Sequence, residues 1–393
     1  MDPSYFSDKS PGVCRKTLEG YFAFYPASLP PGLESDWELM GLISEADQAL
    51  GELSGAGQLL PNPHLLIRPY LRREAILSSR IEDTHADMGQ LALFEEEEEG
   101  VSDKIPDVRE VANYVRALEV GLDRIRELPI SIRLIKELHQ ILLSHVRGGE
   151  SSKTPGEFRR SQNWIGPPGC TLNGATFVPP PHEELLPMLG DWEKYIHAET
   201  GEPALVKAAL THYQFEAIHP FLDGNGRIGR LLITLFLCER GCLSQPLLYL
   251  SGFFDETRDE YYRLLLSVSQ TGNWREWIEY FLRGVRLQSQ RALVDTQRIL
   301  QLYESCRMKL KEGKRVPLEA ARILDQIFAN PYISIARYAK RNDVSFHNAN
   351  KGIEFWIKQG LLSEVTGKQR NRIFMAMDVL RVMEGPSISN PSS

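Results

Sequence analysis

Apolar residues recur at helical spacing along most of this 393-residue chain, which predicts a mainly helical fold. The periodicity runs over Trp37–Leu53, with Gly55 and Gly57 predicting its end and Pro61 to Pro63 a turn. A second helix is predicted over about Pro69–Asp83. Amphipathic stretches follow at 106–128 and 130–146, then at 182–197 despite Pro187 and Gly190. Ala204–Ile218 keeps the spacing, and Leu231–Cys238 is apolar nearly all round, as a buried helix would be. Farther on, Trp274, Trp277 and Phe281 read as core anchors, and 287–312 as a long helix with a polar face. Residues 163–166 and 175–178, separated by Gly-Pro-rich turns and stopped by Pro179 to Pro181, predict a short hairpin. Residues 1–35, rich in Pro, Gly, Ser and Tyr, predict an extended arm laid over the body. The acidic run that ends 91–100 reads as a solvated connector.

The polar chemistry concentrates between the two most apolar helices, in His219-Pro220-Phe221-Leu222-Asp223-Gly224-Asn225-Gly226-Arg227-Ile228-Gly229-Arg230. Gly224 and Gly226 flank Asn225, so the backbone can take positive φ and turn its N–H groups toward one point. The helix that starts there adds unpaired N–H groups and partial positive charge, which together suit a phosphate. Arg227 and Arg230, three apart, are expected on one face toward the same ligand, where guanidiniums grip phosphate oxygens in a bidentate way. Asp223 would repel a phosphate unless a cation lay between them, which points to Mg2+. His219, at the end of the preceding helix, could take a proton from an incoming hydroxyl.

Composition narrows the setting. A net charge of −7 gives no general attraction to nucleic acid or anionic membranes. No apolar run reaches membrane-spanning length, and the N-terminus lacks a secretion signal. Cys14, Cys170, Cys238, Cys242 and Cys306 are scattered and odd in number, so buried thiols in a cytoplasmic protein are expected.

The run HPFLDGNGRIGR resembles the signature of Fic-domain proteins, His-x-Phe-x-(Asp/Glu)-Gly-Asn-Gly-Arg-x-x-Arg, at every defining position. The resemblance implies transfer of AMP from ATP to a Ser, Thr or Tyr hydroxyl of a target protein, self-modification included, with pyrophosphate leaving. It implies His219 as the base, Asp223 as the Mg2+ ligand, Gly224, Asn225 and Gly226 as the anion hole, and Arg227 and Arg230 on the phosphate tail. The related Doc kinases carry Lys where this chain has Gly226, so Gly226 favours nucleotidyl transfer over phosphorylation. Ser78 and Glu82 resemble the family's inhibitory pattern (Ser/Thr)-x-x-x-Glu-(Gly/Asn), with Glu82 expected on Arg230; Asp83 departs from the last position. The hairpin at 163–178 resembles the flap against which a target segment lies as an added strand, and Thr154-Pro155-Gly156-Glu157-Phe158-Arg159 resembles the loop before it. Tyr261 and Tyr262 fall where the family places aromatic residues beside the adenine, a helix packing its rings in the core being the alternative.

Past residue 317 the pattern of helix, helix, longer helix and two short strands resembles a winged helix-turn-helix. Residues 315–384 hold 11 Lys+Arg and 7 Asp+Glu, yet the third helix offers few basic residues besides Lys351 and Lys358, so DNA binding is not favoured. The expected architecture is therefore mainly α: a helical Fic-domain bundle with a short β-hairpin flap, plus a C-terminal winged helix-turn-helix. The expected division is an N-terminal arm and inhibitory helical region over 1–104, a catalytic core over 105–286, a linker helix over 287–314, the winged module over 315–384 and a disordered tail from 385. Two further readings stay open, a DNA-binding regulator with a nucleotide-sensing Fic domain and an enzyme removing AMP at the same site. Homodimerisation also stays open.

Overall fold

The computed structural model describes residues 1–34, 36–58, 63–96, 106–146, 153–313, 315–367 and 372–384. The protein is mainly helical with small β-hairpins, as the periodicity predicts. Its centre is the helix Ala204–Ile218 packed against Asn225–Glu239, with Leu185–His197, Pro106–Arg124 and Ile132–Leu142 around them. Both central helices are buried on nearly every side, which explains their lack of a polar face. Two polar residues buried on Ala204–Ile218 are partnered: Gln214 Nε2 donates to the Ala27 carbonyl at 2.9 Å, and His212 Nε2 meets Tyr261 Oη at 2.8 Å.

The N-terminal segment is a β-hairpin rather than an extended arm. β1 (Gly12–Lys16) pairs antiparallel with β2 (Phe22–Pro26), and Phe24 is fully buried. The Phe24 N–H also bonds the Val178 carbonyl at 2.9 Å, so this hairpin braces the predicted flap region. The helix starting at Trp37 continues through Gly55 and Gly57 to Gln58. Gly57 is small because the 244–247 segment presses on it: a Cβ there would lie 3.0 Å from Leu247 Cδ1. The next helix begins at Pro63 and carries Pro69 inside, ending at Ile81. The acidic run at 91–100 is not simply solvated: the helix Met88–Glu96 includes its start, with Glu95 on Arg72 and buried Glu96 accepting the Ser334 N–H at 3.1 Å. Residues 97–100, the expected break at 61–62 and the tail from 385 lie outside the described residues.

The long helix is continuous from Trp274 to Glu312 and packs along Trp37–Gln58, so the expected boundary at 286 falls within one element. C-terminal to it come the helix Ala320–Ala329, β3 (Tyr332–Ser334), helices Ile335–Asn342 and Phe346–Lys358, β4 (Ser363–Glu364), β5 (Ile373–Met375) and the helix Met377–Glu384, with sheet order β3-β5-β4. This unit shares one apolar core with the rest. It docks on Pro63–Ile81 and Met88–Glu96: buried Arg72 donates to the Ala329 carbonyl and pairs with Glu95, and Asn330 Nδ2 donates to the Ala92 carbonyl at 3.0 Å. Among the described residues, no helix is long and apolar enough to cross a membrane.

Candidate active site

His219 ends its helix in left-handed backbone, φ 50, with its N–H on the Phe215 carbonyl at 3.0 Å. The chain then turns at Gly224, φ 79, which caps the next helix. Asn225 staples this turn, since its Oδ1 accepts from the Phe221 N–H and its Nδ2 donates to the Phe221 carbonyl, both at 2.8 Å. Its side chain thus holds the loop, while the backbone of Gly224 to Gly226 borders a cleft of about 690 Å³. His219, Asp223, Glu216, Arg230, Glu82, Tyr262 and Trp164 also line that cleft.

The His219 imidazole is set for proton uptake. Nδ1 lies 3.2 Å from the Glu216 carbonyl, which fixes the proton on Nδ1 and leaves Nε2 as the acceptor. Burial, and then the Arg159 guanidinium, push His219 down to about 4, so it is neutral at physiological pH. Arg159 Nε donates to the His219 carbonyl at 2.9 Å and holds that end of the turn. Burial would raise Asp223, but Arg227, Lys153 and the Gly224 N–H together hold it below the usual carboxylate range. Its Oδ2 lies 2.5 Å from Lys153 Nζ. Among the described residues no cluster of three or more His, Cys, Asp or Glu side chains could cage a metal. A single ionised, partly exposed carboxylate beside the glycine turn at a helix start does fit Mg2+ held jointly with a polyphosphate.

Arg230 is 2% exposed and faces the end of the helix Pro63–Ile81. Its Nε donates to Ser78 Oγ at 2.9 Å, and its Nη2 donates to the Ser78 carbonyl at 2.9 Å and to Glu82 Oε1 at 2.8 Å. Asp83 follows in left-handed backbone, φ 59, a conformation that Gly, Asn and Asp reach at least cost. The Asp83 carboxylate is gripped by Arg258 at 2.7 and 3.1 Å.

Residues 40–123 match the Fic/DOC family N-terminal model, and residues 129–237 match the Fic/DOC family model. The chain carries Fic/DOC family domains. It is similar to the protein adenylyltransferase Fic of Drosophila yakuba, 32% identical over 164 residues, covering 41% of this chain and 29% of that protein. The corresponding Drosophila willistoni protein is 35% identical over 124 residues, 31% of this chain and 22% of that one. The chain thus spans less than a third of the length of these curated relatives. A solved Fic family protein from Desulfovibrio desulfuricans G20 shares the fold, with a TM-score of 0.56 at 18% identity, covering 88% of this chain and 98% of that one.

Within the Fic domain, Arg227 departs from the expectation of a second phosphate ligand. It is 3% exposed, with Nη1 on Glu110 Oε2 at 2.8 Å and Nη2 on Asp223 Oδ1 at 3.3 Å, and it does not line the cleft. Three helical positions separate side chains by about 60°, and here Glu110 on the helix Pro106–Arg124 draws Arg227 to the far side of the loop. Both tyrosines border the cleft but differ in burial. Tyr261 is 1% exposed, stacked on Phe254 at 4.6 Å and bonded to His212, so it belongs to the aromatic core. Tyr262, 40% exposed, offers its ring to the cleft. The flap is slighter than a two-stranded hairpin: one antiparallel bridge, Ile165 to Phe177, closes it, with Trp164 and Ile165 exposed beside the cleft.

His139 was not legible as a site residue. Its Nδ1 accepts the Gly156 N–H at 2.9 Å, so Nε2 carries the proton and donates to the Asp223 carbonyl at 3.0 Å. The ring stacks on Phe221 at 3.7 Å. One histidine thus ties the 154–159 loop to the Asp223–Gly224 turn. Its only sequence signal is a histidine on the apolar stripe of 130–146, which fits an ordinary core histidine equally well.

Proposed function

We propose that this protein is an autoinhibited protein adenylyltransferase, moving AMP from ATP to a hydroxyl side chain of a target protein. The observation that carries the reading is the convergence of a neutral His219 Nε2, the turn at Gly224 to Gly226, ionised Asp223 and Arg230 on one cleft. A binding site for nucleotide alone needs no proton acceptor, so the base favours a transferase over a nucleotide sensor. The similarity to Drosophila proteins named protein adenylyltransferase points to the same chemistry.

In this reading Tyr262 packs the adenine from one side, and the loop N–H groups receive the α- and β-phosphates. Asp223 would hold Mg2+, which neutralises phosphate charge, and Lys153 must swing off Oδ2 to allow it. His219 Nε2 takes the target hydroxyl's proton. The hydroxyl oxygen bonds the α-phosphorus, the bond to the bridging oxygen breaks, and pyrophosphate leaves with that electron pair. The target backbone pairs beside Trp164 and Ile165 at the flap. Glu82 occupies the guanidinium that the γ-phosphate needs, which misplaces the α-phosphate for in-line attack. Ser78 and Glu82 are thus the brake. AMP removal by a Glu82-oriented water would need Glu82 free of Arg230, whereas here it is bound.

We read residues 315–384 as a winged-helix module, on its order of helices and its β3-β5-β4 sheet. Parallel incubations of the Glu82→Gly protein and a lysate with α- and γ-labelled ATP test the reaction. Label on protein from the α-phosphate alone is expected, and label from the γ-phosphate would make the enzyme a kinase.

A further inference from the structure

Glu216 stands in the same cleft, three residues before His219, and the transfer chemistry leaves it unassigned. Its side chain is 13% exposed, its Oε1 is buried without a hydrogen-bond partner, and its Oε2 lies 4.0 Å from His219 Nδ1. The carboxyl rests against the backbone of Gly229, where a Cβ would fall 2.2 Å from Oε1; only glycine admits it there. A buried acid with an unpartnered oxygen is costly to folding, so its place beside the base calls for a role. The groups that face this pair are Arg230 on the motif helix, Asp223 on the motif turn, Glu82 after the helix Pro63–Ile81, Tyr261 and Tyr262 on the helix Arg258–Thr271, and Arg159 behind His219.

We propose that Glu216 is a positioning residue for His219: its carboxylate supports the imidazolium that forms as Nε2 takes the hydroxyl proton. The inference rests on the adenylyl-transfer reading. Throughout the step the Nδ1 proton stays on the Glu216 carbonyl, and positive charge grows on a ring with Oε2 nearby. Support requires Glu216 to have lost its proton to solvent beforehand. Burial raises Glu216 to about 8; Arg230 lowers it and Glu82 raises it. With Glu82 in place Glu216 is therefore largely neutral near pH 7, and removal of Glu82 lets it ionise at lower pH.

The first test needs no substrate. Histidine-labelled full-length protein is titrated by NMR as wild type, Glu82→Gly, Glu216→Gln and Glu82→Gly/Glu216→Gln, with His219 assigned by His219→Ala. The His219 ring signals should show an inflection near pH 8 in the wild type, at lower pH with Glu82→Gly, and none with Glu216→Gln. Glu216→Asp, which keeps an acid in place, must keep an inflection. A His219 titration identical with and without Glu216→Gln would overturn the proposal. In transfer assays Glu82→Gly/Glu216→Gln should lose about tenfold in kcat against Glu82→Gly, with KM for ATP nearly unchanged and the inflection gone from the pH–rate profile. Equal kcat and equal profiles would overturn it as well. Failure of Glu82→Gly itself to transfer label would sink the transferase reading instead, and the NMR titration would still decide the role of Glu216.

Discussion

Arg230 Nη2 donates to Glu82 Oε1 at 2.8 Å, joining the central motif to a residue 148 positions earlier in the chain. A guanidinium buried this deeply cannot hold a carboxylate and a γ-phosphate with the same nitrogen. Glu82→Gly should therefore tighten binding of a non-hydrolysable ATP analogue with Mg2+ by about tenfold or more, the worth of one charge-assisted hydrogen bond. Isothermal titration calorimetry checks this, and unchanged affinity would show that Glu82 does not compete for the nucleotide.

Asp83 and Arg258 form a second contact beside the first, bidentate at 2.7 and 3.1 Å. With the Asp83 side chain 72% exposed, solvent screens the pair and its worth stays below about 1 kcal/mol. Arg258→Ala, or Asp83→Asn (which keeps a left-handed backbone accessible), should raise basal transfer by about two- to fivefold, far less than Glu82→Gly. High salt should produce the same modest rise in the wild type and little further change in Arg258→Ala.

His139 touches no reacting atom, yet it spans the 154–159 loop and the Asp223 carbonyl. His139→Ala should lower transfer by Glu82→Gly protein by about 10- to 100-fold, as loss of a residue that orients a ligand typically does. The far-UV circular dichroism should stay that of the parent. Full activity would mean that the Gly224 turn holds its shape unaided.

Glu216 also marks stability. Its folded-state value near 8 lies above the ordinary carboxylate value of 4.5, so the native state binds its proton more tightly than the unfolded chain. The sign follows: its contribution is fully present below pH 4.5 and is lost as pH rises through about 8. Glu216→Gln removes that loss, so the variant should match the wild type near pH 4.5 and exceed it by roughly 4 kcal/mol at pH 8. Urea denaturation across this range is the measurement, and a constant difference at all pH values would contradict it.

The central chemistry was legible because it is local: His219 to Arg230 form one continuous run whose geometry follows from two glycines and a helix start. Ser78 and Glu82 gained meaning only beside that run, and the structure brings them to Arg230. What the sequence left hidden depends on distant partners. The direction of Arg227 is set by Glu110, and the burial of Tyr261 by Phe254 and His212. The helix through Gly55 and Gly57 persists because the 244–247 segment packs on it, a contact that no local propensity encodes. The β1–β2 hairpin hid in a stretch with Pro and Gly punctuation and little strict alternation.

The most direct measurement is label transfer from α-labelled ATP in Mg2+, comparing wild type, Glu82→Gly and Glu82→Gly/His219→Ala on protein from a lysate. Weak labelling by the wild type, strong labelling with Glu82→Gly and none in the double variant are expected. Labelling that survives loss of His219, or none from any of the three, would contradict the transferase reading.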